Sequence, residues 1–116
     1  MNDTSISVVI PARNDGESLR TILSAINNQT LLPTETVIVD SSSNDAVKKL
    51  VQKHQSTVPV VYHHEGNAYP GRARNCGANL ASGEWIAFLD TRTVPDDEWL
   101  ERYQHLMKAY HTDVVF

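Results

Sequence analysis

Charged and polar side chains follow three apolar runs of this sequence, at the point where each run ends. Arg13 and Asn14 follow the first run, Asp40 follows the second, and Asp90 and Arg92 follow the last. Carboxylates can accept hydrogen bonds from a base or a ribose or hold a divalent metal, and guanidinium groups can bind phosphates. If the runs are neighbouring parallel strands, these side chains meet at one sheet edge, where α/β proteins bind ligands.

The last of these runs, from Trp85 to Leu89, is almost entirely apolar and ends in Asp90. An unbroken apolar run of this length is typical of a parallel strand buried on both faces. The next charged residue is Arg92, at the position where a second carboxylate would complete a pair able to hold a hard divalent metal. The sequence therefore predicts a ligand site at this strand end and makes its use of a metal depend on residue 92.

The elements that must position these side chains alternate along the chain. Strands are predicted over Ile6–Pro11, Thr36–Val39, Val58–Tyr62 and the run that ends at Asp90. Helices are predicted around the periodic residues Leu19–Ile26, with a break at Leu32-Pro33, over 46–51 and 72–81, and from Pro95 onward. Pro59 places the third strand at a sheet edge, because proline cannot donate a hydrogen bond to a neighbouring strand. This order predicts an α/β fold with a mainly parallel sheet and helices on both faces.

Two further features are predicted at the ends of elements. Asn14 and Glu17 have the spacing of a capping box for the first helix. The final residues, Asp113–Phe116, have the composition of the first residues of another buried strand. We therefore expect this chain to be part of a longer domain or an abbreviated version of one.

Composition narrows the class of protein. The chain has 116 residues, a net charge of −4 and a pI of about 5.6, so it has the size of one domain and lacks the basic surplus of a nucleic-acid binder. Its N-terminal residues lack the pattern of a secretory signal, and no apolar run approaches the roughly 20 residues of a membrane span. We therefore expect a cytoplasmic protein with no membrane span in this chain.

The cysteine and histidine residues are expected to have structural roles and not to bind a metal. The single cysteine, Cys76, excludes an intramolecular disulfide, fits a reducing compartment, and lies among small residues, as expected in a core. His63, His64 and Glu65 are metal-binding residue types in sequence. Neighbouring side chains on an extended segment point apart, so a metal site shared by these residues is not expected.

The common nucleotide fingerprints are absent. Neither G-x-x-x-x-G-K-[ST] nor G-x-G-x-x-G follows the first strand. A nucleotidyltransferase would need a glycine-rich loop where Pro11–Asp15 stands. A receiver-like domain phosphorylated on Asp40 would need an acidic pair where Arg13 and Asn14 stand. Neither class fits the loop after the first strand.

Four linked segments resemble family 2 glycosyltransferases, which have the GT-A fold. Ser7–Asn14 resembles the family's opening strand, and Val37–Asp45 resembles its second strand with an acidic, serine-containing loop. Gly71–Asp90 resembles its Ala-Arg-Asn helix leading into the D-x-D strand, and Thr93–Leu100 resembles the segment after it. The match covers nearly all of the chain in the family's order and spacing. It implies a three-layer, Rossmann-like GT-A fragment, with residues 1–116 forming the half that binds a nucleotide sugar.

The resemblance also implies roles for individual residues. Asp40 would contact the base, commonly uracil in this family, and Arg74 would lie near the nucleotide. Asp90 would lie near the ribose and bind the metal. The rest of the nucleotide pocket would be lined by Pro11, Ala12, Arg13, Asn14 and Glu17.

The sequence departs from the family pattern at two of these positions. Arg13 stands where the family usually has an aromatic residue, and Arg92 replaces the second aspartate of D-x-D. Two hypotheses remain open for the cofactor. In one, Arg92 neutralises the donor diphosphate and takes over part of the metal's role. In the other, Arg92 is solvated and Mg²⁺ or Mn²⁺ is held by Asp90 and phosphate oxygens.

The function implied by the resemblance is inverting transfer of a sugar from a nucleotide-diphosphate donor, with UDP as the expected carrier. The acceptor would be the hydroxyl of a sugar or a lipid-linked molecule, as in polysaccharide biosynthesis. The general base is expected beyond Phe116, so this chain alone is expected to be inactive. The alternative is a non-catalytic module that binds a nucleotide sugar or a partner. The full-length protein could form oligomers or associate with a membrane.

Overall fold

Strands and helices alternate along the chain in a computed structural model, which describes residues 5–66, 69–110 and 114–115. The strands are β1 (Ile6–Ala12), β2 (Glu35–Asp40), β3 (Val60–His64), β4 (Trp85–Phe88) and β5 (Val114–Val115). The helices are α1 (Gly16–Asn27), α2 (Ala46–Lys53), α3 (Pro70–Leu80) and α4 (Trp99–Tyr110). The predicted alternation is confirmed. β5 is the strand predicted near the C-terminus, although Asp113 and Phe116 lie outside the described residues.

The strands form one sheet in the order β3-β2-β1-β4-β5, and all the pairings are parallel. β3 lies at an edge, as Pro59 predicts, but pairing begins only at Val60, after the proline. From β1 the chain moves outward to β2 and β3, and it then returns to place β4 on the other side of β1. The strand order therefore reverses between β1 and β4, which is where open α/β sheets bind ligands.

Apolar residues cover both faces of the sheet. On one face, alternate β1 residues such as Val8 and Ile10 pack with α1, α2 and α4. On the other face, Val9 and the β2 residue Val39 pack with Ala73 of α3. The three-layer architecture is therefore confirmed. No helix in the described ranges is long and apolar enough to cross a membrane.

Helix α1 buries the residues predicted from its period, but its predicted cap is wrong. Asp15 occupies the N-cap position, and no side-chain hydrogen bond caps the helix. Asn14 has a φ of 54°, a left-handed conformation that asparagine tolerates better than most residues. Its side chain accepts hydrogen bonds from Ser43 instead, and Glu17 extends into solvent with its side chain 92% exposed.

Helix α4 begins at Trp99 and not at Pro95, so the predicted start is wrong. The residues between Pro95 and Trp99 are fixed by the segment that follows α1. The Gln29 side chain donates to the Asp96 carbonyl over 2.6 Å, and the Thr30 amide donates to the Asp97 carbonyl over 2.8 Å. With these carbonyls held by residues just after α1, the segment forms a turn and the helix starts after it.

Helix α3 lies very close to the sheet because its inward residues are small. Ala73 and Gly77 are its buried residues. A methyl group at Gly77 would overlap with Val9 Cγ1 and lie 3.2 Å from Val39 Cγ2. Glycine is therefore needed here for the close approach of the helix, and this approach also sets the position of the cavity wall that α3 contributes.

Replacing Gly77 with alanine should destabilise the fold, because the added methyl group must displace two buried valines. We expect Gly77→Ala to lower the free energy of unfolding by about 1–3 kcal/mol, the usual cost of overpacking a core. Gly71→Ala is the matched control on the same helix, since nothing lies within 4 Å of its added methyl group. Urea unfolding measures both variants, and equal midpoints for the two would contradict the close approach of α3.

Candidate functional site

A cavity of about 830 Å³ opens at the point where the strand order reverses. The loop after β1 contributes Arg13 and Asp15, the end of β4 contributes the segment 88–93, and α3 contributes Ala73 and Arg74. A volume of this size is typical of small-molecule sites. Of the residues implicated by the sequence, those lining the cavity are Pro11, Ala12, Arg13, Arg74, Asp90 and Arg92.

Asp40 lies behind the cavity wall. It is fully buried, and its Oδ2 accepts a 2.6 Å hydrogen bond from the Tyr62 hydroxyl while its Oδ1 accepts one of 2.9 Å from the Ser42 amide. Burial raises the pKa of Tyr62, and its hydrogen bond to Asp40 raises it further, so the hydroxyl remains a donor. The neighbouring Ser41 lines the cavity. A base contact by Asp40 would require this network to open, whereas Ser41 is already at the surface of the cavity.

Asn14 joins the loops that follow β1 and β2. Its amide donates to Ser42 Oγ over 2.7 Å, and its side-chain oxygen accepts a hydrogen bond of 3.2 Å from the Ser43 amide. The Ser41 amide also donates to the Ala12 carbonyl over 2.9 Å. Asn14 and Glu17 are not among the residues lining the cavity. Asn14 instead fixes the two loops that form one side of it.

Asp15 joins the loops that follow β1 and β4, a role that the sequence did not reveal. Its Oδ1 accepts a 2.8 Å hydrogen bond from the Arg13 amide, and its Oδ2 accepts one from the Thr91 hydroxyl. Thr91 is buried, and Asp15 and Thr91 both line the cavity. The sequence does show a carboxylate, Asp15, after β1 and a hydroxyl, Thr91, after β4. These are the two strand ends on either side of the point where the strand order reverses, and this placement could have indicated the contact.

Arg92 is bound to Asp90. The Arg92 amide donates to Asp90 Oδ1 over 2.9 Å, and its guanidinium Nη2 lies 3.1 Å from Oδ2. The hydrogen bond from the guanidinium is the main reason that the pKa of Asp90 is lowered, and the charge of Arg74 lowers it further. The pKa of Arg92 is raised in turn by Asp90. The position of the family's second carboxylate is thus taken by a cation that neutralises the first.

These residues do not fit a divalent metal. Magnesium and manganese prefer several oxygen ligands, commonly carboxylates. Within the described ranges, the carboxylates lining the cavity are Asp15 and Asp90. Asp15 accepts hydrogen bonds from Arg13 and Thr91, and both oxygens of Asp90 accept hydrogen bonds from Arg92. A metal would first have to displace the Arg92 guanidinium.

The charges of the cavity favour an anion. Three guanidinium groups, those of Arg13, Arg74 and Arg92, line it together with the two engaged carboxylates. Guanidinium groups bind phosphate oxygens well, through two parallel hydrogen bonds. The apolar part of the wall includes Phe88 and Trp99, which offer surface to a ring or a base. The arrangement can therefore hold a phosphorylated ligand with a planar group.

Comparisons with known proteins agree with this geometry. The model of the family described as glycosyl transferase family 2 matches residues 7–116. The amylovoran biosynthesis glycosyltransferase AmsB of Erwinia amylovora is 38% identical over 103 residues, which are 85% of this chain and 33% of AmsB. The glycosyltransferase AglE of Haloferax volcanii is 29% identical over 116 residues, which are 95% of this chain and 38% of AglE.

Solved structures share the fold. The crystal structure of S. aureus TarS 1-349 in complex with UDP superposes with a TM-score of 0.81 at 25% identity, covering 94% of this chain and 33% of that one. This chain thus spans about a third of the length of these three proteins.

Removing the Arg92 guanidinium should raise the pKa of Asp90 toward its ordinary value, because Arg92 supplies the hydrogen bonds that lower it. NMR titration of the Asp90 carboxyl carbon measures this in the wild type and in Arg92→Gln. Arg102→Gln is the matched control, since Arg102 pairs with Asp96 over 2.6 Å and should affect only the pKa of that carboxyl group. An Asp90 titration that is the same in the wild type and Arg92→Gln would show that the pair does not form in solution.

Proposed function

The chain belongs to glycosyl transferase family 2, and we propose that its cavity binds the donor of a glycosyl transfer, a sugar linked to a nucleoside diphosphate. The observation that carries this proposal is the arginine-lined cavity beside β1, at the sheet edge where such folds bind ligands. The UDP in the TarS complex supports UDP as the carrier. In this proposal, residues 1–116 form the donor-binding part of a longer catalytic domain.

Each wall of the cavity has a role in donor binding. Arg13, Arg74 and Arg92 bind the diphosphate, whose charge matches their guanidinium groups. Ser41 lies next to the base of the nucleotide. The buried Asp40 behind Ser41 holds the loop that positions it. Asp90 orients the Arg92 guanidinium, and because its side chain is 42% exposed, its remaining lone pairs can also accept a hydrogen bond from the ribose.

The reaction follows from the chemistry of such a donor. The oxygen of an acceptor hydroxyl attacks the anomeric carbon, and the bond from that carbon to the diphosphate oxygen breaks with its electron pair retained by the diphosphate. Attack opposite the leaving group inverts the configuration. A general base takes the proton of the hydroxyl. The carboxylates that line the described cavity are both hydrogen-bonded to other side chains, so we propose that the base comes from another part of the catalytic domain.

We further propose that donor binding does not depend on a metal. The guanidinium of Arg92 lies where the family's second aspartate would help to hold a cation, and it faces the same opening as Arg74. The Arg92 side chain is 86% exposed, so its guanidinium can donate to a leaving diphosphate as well as to Asp90 and stabilise the charge that develops there. Of the two hypotheses drawn from the sequence, this one agrees better with the pairing of Arg92 and Asp90.

Binding of UDP to the purified chain tests the donor site. We expect saturable binding by isothermal titration calorimetry, and Arg74→Ala should weaken it about tenfold or more, since hydrogen bonds to charged groups contribute about 1.5–3 kcal/mol. Arg102→Ala removes an arginine from α4, away from the cavity lining, and should leave the affinity unchanged. If neither UDP nor any other nucleotide binds, the proposal is wrong and a partner-binding module is favoured.

The metal proposal has its own test. UDP affinity of the wild type should be the same in EDTA and in added Mn²⁺. In Arg92→Asp the affinity in EDTA should fall, because a cation is replaced by a second carboxylate, and Mn²⁺ should restore it by binding both carboxylates. A wild type that needs Mn²⁺ to bind UDP would contradict metal-independent binding while leaving the donor site itself intact.

A further inference from the structure

Three metal-binding side chains meet outside the donor cavity. His63 is on β3, Glu65 follows the end of β3, and Cys76 is on α3. One ligand atom from each lies within 4.8 Å of the others, and His63 Nε2 is 3.0 Å from Glu65 Oε1. We call these residues the β3–α3 cluster. None of them lines the cavity described above.

The local geometry corrects one sequence interpretation. His64 does point away, since its Nε2 lies 3.2 Å from the Ser42 carbonyl oxygen on the side of the β2 loop. His63 and Glu65 are two residues apart in an extended segment, so their side chains share a side, and that side faces α3. The side chains of His63 and Glu65 therefore do not point apart as the sequence predicts, whereas that of His64 does.

The cluster has the organisation of a metal site. Its side chains are partly buried, so they are held in place but remain accessible to an ion from solvent. Arg72 Nη2 bonds Glu65 Oε2 over 3.1 Å, which leaves Oε1 directed at His63. Hydrogen bonds from an outer residue to a ligating carboxylate are a regular feature of metal sites. Arg72 thus orients the carboxylate, whose inner oxygen is hydrogen-bonded to His63, and an ion bound by both side chains would take the place of the proton between them.

We infer that the β3–α3 cluster binds a borderline transition-metal ion of the Zn²⁺ class through His63, Glu65 and Cys76. Imidazole nitrogen, thiolate sulfur and carboxylate oxygen are all zinc ligands, and thiolate disfavours Mg²⁺ and Ca²⁺. Tetrahedral zinc places such atoms about 3.3–3.6 Å apart. The ligand atoms lie up to 4.8 Å apart, so they need to move together by only about 1 Å, which rotation of the side chains can provide.

The ion would join two consecutive elements of the chain. It connects the end of β3 to α3, whose residues Ala73 and Arg74 line the donor cavity one turn before Cys76. An ion bound only by the folded state stabilises that state. The predicted site is therefore a clip that secures α3 against the sheet edge.

Cobalt absorption tests the site, with Co²⁺ as a spectroscopic substitute for Zn²⁺. Cys76 is the single cysteine, so a thiolate-to-cobalt charge-transfer band in the near ultraviolet reports on it alone. We expect a band that saturates at one Co²⁺ per chain and disappears when Zn²⁺ is added. Cys76→Ser should abolish it, and His63→Asn should weaken metal affinity more than about tenfold. His64→Asn is the matched control and should retain wild-type affinity.

Thermal unfolding by circular dichroism shows that each variant is folded and gives a second readout. Zn²⁺ should raise the Tm of the wild type and of His64→Asn, and should leave the Tm of Cys76→Ser unchanged. Absence of the cobalt band in the wild type would overturn the inference. Equal affinities for the wild type and His63→Asn would overturn it as well, since a lone thiol would then account for the binding.

Discussion

The carboxylate of Asp15 joins the two strand ends on which the cavity depends. β1 lies between β2 and β4, and the chain changes its direction across the sheet at this strand, so a gap opens between the loops after β1 and β4. Asp15 spans that gap by accepting hydrogen bonds from the Arg13 amide and the Thr91 hydroxyl. The loops after β1 and β2 are joined in turn through Asn14 and Ser42. The walls of the cavity are thus held together by short polar side chains at strand ends.

The same arrangement explains why Arg92 changes the charge of the site at the end of β4. A pair of carboxylates at this strand end would repel each other and attract a cation. With arginine at the second position, the first carboxylate is paired within the chain, and the guanidinium lowers the pKa of that carboxyl group. Arg13 and Arg74 then give the cavity an excess of positive charge. The charge that a metal would bring to a diphosphate is in this account built into the protein.

Much of the fold could be predicted from the sequence because it depends on local periodicity. The buried face of α1 and the edge position of β3 follow from apolar spacing and from Pro59. The start of α4 could not be predicted, because Gln29 and Thr30 of the distant loop after α1 fix the turn before it. Asp40 and Asp15 show the same limit within the site. Which carboxylate is buried and which reaches the cavity depends on partners, such as Tyr62 and Thr91, that are distant in sequence.

The central claim is that the donor nucleotide binds beside β1, between the ends of β2 and β4. Mapping of backbone amide NMR shifts during titration with UDP tests it most directly. We expect the largest changes at Ala12, Ser41 and the segment 90–93, with little change at Ser24 and Lys49, which line a separate groove between α1 and α2. Changes concentrated in that groove, or scattered without saturation, would show that UDP does not bind beside β1.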